Sequence, residues 1–116
     1  MAKYHKFIRV AGVTFDSRQD IIDGIMEGDA VYLKPEPTNA YDPNACAVYL
    51  KERTLETQGD QIIGYVPRDQ SSEVQAMMRQ KDFTVQIDDI TGGYDMGGKR
   101  ASLGVVLILE AGYDEK

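Results

Sequence analysis

Residues 28–50 read "GDAVYLKPEPTNAYDPNACAVYL", two apolar runs around a turn dense in Asn, Asp and Pro. The first run, "AVYLK", is β-branched and aromatic and reads as a strand. "PEP" must end it, because proline donates no ladder hydrogen bond. The second run, "ACAVYLK", reads as the next strand, with Ala45, Ala47 and Tyr49 on one face and Cys46, Val48 and Leu50 on the other. The joining segment carries more turn chemistry than a plain loop needs. Asn39, Pro43 and Asn44 have the residue types that bond or bend the backbone in Asx turns. Tyr41 and Asp42 stand at the tip. Either they face a ligand, or Asp42 too caps the turn.

Working outward, "KFIRVAGVTF" predicts a strand with Gly12 as a bulge. "SRQDIIDGIMEGD" predicts a short helix, with Ser17 and Asp20 at capping-box spacing and Ile21, Ile22 and Ile25 at helical intervals. After the central pair, "ERTLETQGDQ" reads as a solvated hairpin loop and "IIGYVP" as a strand closed by Pro67. "RDQSSEVQAMMRQKD" lacks Gly and Pro, places Val74, Met77 and Met78 three and four apart, and predicts the longest helix. "FTVQIDDI" alternates as a half-buried strand should, "TGGYDMGG" is a glycine-rich hairpin connection, and "ASLGVVLILE" is a long apolar strand. The pattern is mostly β, about six strands with two helices. It suggests a small closed or partly open β-barrel as one domain over residues 1–116, with its core between about 5 and 111.

The bulk numbers narrow the function. The 116 residues are 42% hydrophobic, and no apolar run approaches the roughly 20 residues a membrane span needs. The basic start "MAKYHKFIRV" has no apolar core of a signal peptide. One cysteine, Cys46, and one histidine, His5, make neither an internal disulfide nor a zinc site. The expectation is a reduced, cytoplasmic, metal-free domain. A net charge of −6 argues against nonspecific polyanion binding, yet residues 1–15 carry Lys3, Lys6 and Arg9 and no acid. That distribution permits one basic face, as it permits a merely soluble surface.

Chemical motifs are thin. Asp42-x-Asn44 opens like a calcium loop, but Cys46 and Ala47 stand where an oxygen ligand and a glycine are needed. Gly93, Gly98 and Lys99 have phosphate-loop spacing, but Arg100 replaces the magnesium-binding hydroxyl and a strand follows instead of a helix. No nucleophile–base set assembles around Cys46 or His5, so no enzyme and no cofactor are implied, and Cys46 reads as a buried structural residue. What remains is Phe15, Tyr41 and Tyr65 beside turns, with Arg68 opening the long helix. Exposed aromatics near cations suit single-stranded nucleic acid, whose bases stack and whose phosphates need neutralising. Core packing is the competing role for each ring.

Taken in order, "VAGVTF", "GDAVYLKPEPTNAYDPNACAV" and "IGYVPR" resemble the HIRAN domain, over residues 7 to about 80. Glu36, Pro37, Asn39, Tyr41, Asp42, Asn44, Ala45 and Val48 match its central block. The chain has no room for the SNF2-type helicase to which the domain is often fused, so it resembles the free-standing bacterial and phage forms. The resemblance implies an OB-like barrel that holds the 3′ end of single-stranded DNA. It makes Tyr41 a stacking platform, Asp42 the acceptor for the free 3′-hydroxyl, Phe15 the opposing aromatic face and Arg68 a phosphate contact. Tyr65 takes a position where the family has Tyr or His. Two positions depart from the pattern. Thr14 replaces a phosphate-reaching Arg, and Ala40 replaces the Pro before Tyr-Asp. Lys6, Lys99 and Arg100 are the cations available to restore the lost charge. Two rival readings stand beside DNA binding. One is a barrel that binds a replication or repair protein instead of DNA. The other is hydrolysis, against which the defective phosphate loop argues.

Overall fold

The computed structural model describes residues 3–15, 17–52, 59–94 and 100–112. Six strands form: β1 (Lys3–Arg9), β2 (Val31–Pro35), β3 (Cys46–Leu50), β4 (Gln61–Tyr65), β5 (Thr84–Tyr94) and β6 (Arg100–Gly112). Two helices accompany them, α1 (Arg18–Asp23) and α2 (Ser71–Met78), the latter entered through a 3₁₀ turn at Arg68–Gln70. All pairing is antiparallel, in two three-stranded sheets ordered β1-β6-β5 and β2-β3-β4.

The core lies where the sheets and helices meet. Ile8, Val105, Leu107 and Leu109 from the first sheet are buried with Val31, Leu33, Val48 and Ile63 from the second. Ile22 of α1, Val74 and Met77 of α2, and Val10, Cys46, Val66 and Ala111 belong to it as well. Val74 and Met77 fall three apart on one helical face, as the sequence predicts, while Met78 lies half-buried beside the Cys46 sulfur at 3.9 Å. Burial of these apolar groups is the main stabilising term, roughly 25 cal/mol for each Å² removed from water.

A closed barrel is not found. Among the described residues no ladder closes the sheets on each other, and an isolated bridge between Ala11 and Tyr65 links them at a corner. There Ala11 N–H donates to the Tyr65 carbonyl at 2.7 Å, and Tyr65 N–H returns the bond at 2.9 Å. Pro35 ends β2 without a donor, and the β5–β6 pairing shifts register between Ile87 and Asp89 and between Thr91 and Gly93. Gly64 permits the corner. A Cβ there would come within 2.4 Å of both the Ala11 carbonyl oxygen and a Val10 methyl.

Local departures follow from the same packing. The first strand stops at Arg9 because the chain leaves β6 to reach β4, then turns at Gly12 with φ 72°. Ser17 stands at the N-cap of α1, but its hydroxyl makes no cap bond, so the capping box does not form. On β3 the expected alternation is lost, since Cys46, Ala47 and Val48 are all buried. β3 is the central strand, and the small Ala47 sits between its larger cross-strand neighbours Lys34 and Tyr65. The "ERTLETQGDQ" loop, the phosphate-loop-like segment through Lys99 and the acidic C-terminal tail fall largely outside the described residues.

Candidate nucleic-acid interface

Why the turn at 36–45 spends so much chemistry is answered by its bonds. The Asn39 side-chain oxygen accepts two backbone N–H bonds, from Tyr41 at 2.8 Å and Asp42 at 3.0 Å. Asp42 Oδ1 accepts the Asn44 N–H at 2.9 Å. Glu36 N–H donates to the Ala45 carbonyl at 2.8 Å, closing the loop, and Gln75 of α2 donates to the Asn44 carbonyl at 2.8 Å. Each bond satisfies a group that would otherwise compete for water, so the tip is held in one shape. The Tyr41 ring takes no part in it and is 93% exposed.

Asp42 caps the turn and also lines a groove. One carboxylate oxygen caps the turn, and the other lies 3.9 Å from Arg68 Nε, a loose pair whose arginine is largely in solvent. Tyr41, Asp42, Tyr65 and Arg68 line one groove of about 360 Å³, floored by Ala11 and Ala45. Pro67 and the 3₁₀ turn place Arg68 there, while β4 and the corner bridge place Tyr65.

Tyr65 is pinned. Its hydroxyl donates to Glu36 Oε1 at 2.9 Å, and the same oxygen accepts Asn39 Nδ2 at 3.1 Å. Burial first, and then the hydrogen bond to the Glu36 carboxylate, push the phenol above its ordinary pKa, so it is a donor at neutral pH. A second cavity of about 330 Å³ adjoins the first, sharing Ala11 and Tyr65, and holds Phe15, Gly12 and Arg18. Phe15 is therefore exposed, at 65%, but lines a different cavity from Tyr41, with Tyr65 at the boundary.

Arg18 is the residue the sequence reading misses. Its guanidinium donates to the Gly12 carbonyl at 2.7 Å and stands 5.8 Å from the Phe15 ring centre and 5.6 Å from that of Tyr65. A cation three residues after an exposed aromatic is the available sequence signal. It gives no hint of Tyr65, which only the sheet corner brings near. Of the cations considered as substitutes for the family arginine, Lys6 is engaged with Glu73 at 2.9 Å, and the side chains of Lys99 and Arg100 lie outside the described residues. Thr14 is exposed.

The other chemical candidates are quiet. Cys46 is fully buried, and burial pushes its thiol up to about 11, far from a reactive thiolate. His5 Nδ1 lies 3.2 Å from Glu110 on the neighbouring strand β6. Among the described residues no cluster of three or more His, Cys, Asp or Glu could hold a metal, and no helix is long and apolar enough to cross a membrane.

A family model described as the HIRAN domain matches residues 4–92, which include Phe15, Arg18, Tyr41, Asp42, Tyr65 and Arg68. No curated protein matches the chain. A crystal structure of a protein from Lactobacillus plantarum is similar over 95% of this chain and 99% of that one, with a TM-score of 0.54 and 22% identity. At that identity the likeness bears on the fold alone.

Proposed function

The chain belongs to the HIRAN domain family, a family of DNA-binding modules, and we propose that this member binds single-stranded DNA at free 3′-hydroxyl ends. The observation that carries the reading is the shared groove of Tyr41, Asp42, Tyr65 and Arg68. Tyr41 offers an exposed face on which a terminal base stacks, and its backbone is already fixed by Asn39, so little order is lost on binding. The second oxygen of Asp42 accepts the 3′-hydroxyl. An ionised carboxylate only accepts, so it favours a hydroxyl and repels a terminal phosphate. Arg68, beside it, contacts the phosphate that precedes the end. The role is binding without catalysis, in DNA repair or replication or in a phage, alongside a protein of that machinery.

The test is fluorescence anisotropy with a short 5′-labelled strand ending in a 3′-hydroxyl, compared with the same strand ending in a 3′-phosphate. The hydroxyl end should bind more tightly, and Asp42→Asn should erase the difference. That substitution keeps an oxygen for the Asn44 N–H, so the turn survives. Equal affinity of the unmutated protein for both ends would remove end recognition from the proposal.

One observation favours a second reading, an interaction module. Exposed Met26 lies by a groove of about 390 Å³ whose charged lining is Glu27, Asp29, Asp88 and Asp89, all acidic. Such a surface repels DNA and suits a basic protein segment. Absence of strand binding even at low salt would bring this reading to the front.

A further inference from the structure

Arg18 is the first residue of the six-residue helix α1, where the positive end of the helix disfavours a cation. Its Nε is buried without a hydrogen-bond partner, and among the described residues no carboxylate pairs with its guanidinium. Both features cost stability, so the charge is not explained by the fold of the helix. What holds the side chain is the Gly12 carbonyl at 2.7 Å and the two flanking rings of Phe15 and Tyr65. Gly12 keeps that seat open, since a Cβ there would stand 3.1 Å from Arg18 Nη1.

We propose that Arg18 is the phosphate-binding cation of the Phe15–Tyr65 cavity, taking up the backbone of the strand one step away from the end held at Asp42. The proposal rests on the single-stranded DNA reading and extends its track across the sheet corner, from the Tyr41 groove into the adjoining cavity. A guanidinium is planar, weakly hydrated and able to stack on aromatic rings while its edge donates to phosphate oxygens. It carries five donors, and Gly12 takes one of them. A base on the exposed Phe15 would bring its phosphate to that edge. Arg68 and Arg18 then serve different phosphates, one in each cavity.

The experiment measures anisotropy of a 5′-labelled oligothymidine with a free 3′-hydroxyl across a salt series, together with a thermal melt of each protein. Three proteins are compared: unmutated, Arg18→Met, and Arg18→Met with Thr14→Arg. Removing the charge should weaken binding about tenfold at low salt. The slope of log affinity against log salt should fall by about 0.7, the value of one phosphate contact on a single strand. Thr14 is exposed beside Phe15, so an arginine there should restore much of the lost slope. An unchanged slope in Arg18→Met would overturn the proposal and leave the end-binding reading intact. So would a lost affinity that tracks a lowered melting temperature and is not rescued by Thr14→Arg, because Arg18 would then only brace the Gly12 turn. No binding by the unmutated protein at low salt would overturn the single-stranded DNA reading, and this inference with it.

Discussion

The Asn39 side chain fixes the backbone of Tyr41 through a 2.8 Å bond to its N–H, while the Tyr41 ring stays in water. Stability and exposure are thereby divided between two residues of one turn. Asn39→Ala removes the acceptor for two backbone N–H groups and should cost about 1–2 kcal/mol in urea unfolding. Tyr41→Ala should change stability by less than about 0.5 kcal/mol, as exposed positions do. It should nonetheless weaken strand binding by about 1–3 kcal/mol, the range for one stacked base. A stability loss in Tyr41→Ala as large as that of Asn39→Ala would show that the ring belongs to the fold.

Gly64 decides whether the two sheets meet. With backbone and a Val10 methyl each 2.4 Å from an added Cβ, Gly64→Ala should destabilise the protein by about 2–4 kcal/mol. The bridge between Ala11 and Tyr65 would be lost first, so strand binding should fall in the fraction that remains folded. Near-normal unfolding of this variant would mean the corner can relax.

Alkaline pH should loosen the interface through Tyr65. Its folded pKa is raised above the ordinary 10.0 by burial and by the Glu36 carboxylate. The contribution is fully present below the unfolded value and is lost as pH rises through the folded one. Ultraviolet titration should therefore show a phenol ionising late, and Tyr65→Phe should flatten the alkaline decline in stability. If Tyr65→Phe declines as steeply as the unmutated protein, other groups carry the effect.

Cys46 should be silent in the native state. Fully buried and with its thiol pushed up to about 11, it should resist alkylation at pH 8 and react only on unfolding. Rapid labelling under native conditions would contradict the buried position of β3.

How much of this was legible beforehand can be followed residue by residue. Val74, Met77 and Ile22 announce their burial through spacing, because a helix face repeats locally, whereas in the unbroken apolar run 105–109 the structure alone picks out Val105, Leu107 and Leu109 for the core. The Asn39 cap was readable because an Asx side chain bonds a neighbour two or three residues on. Pairing of Tyr41 with Asp42, and of Tyr65 with Arg68, was visible as adjacency in the chain.

Local sequence determined the six strands, the two helices, the rigid turn and the residue types that line the groove, since each depends on bonds or periodicities spanning a few residues. Tertiary structure decided the rest. Whether six strands close into a barrel depends on pairing between distant segments, and here, among the described residues, two separate sheets are linked by the bridge between Ala11 and Tyr65. The same corner brings Tyr65 to Phe15 and sets Arg18 between them, because the Ala11 and Tyr65 backbones can bond only where Gly64 has no side chain.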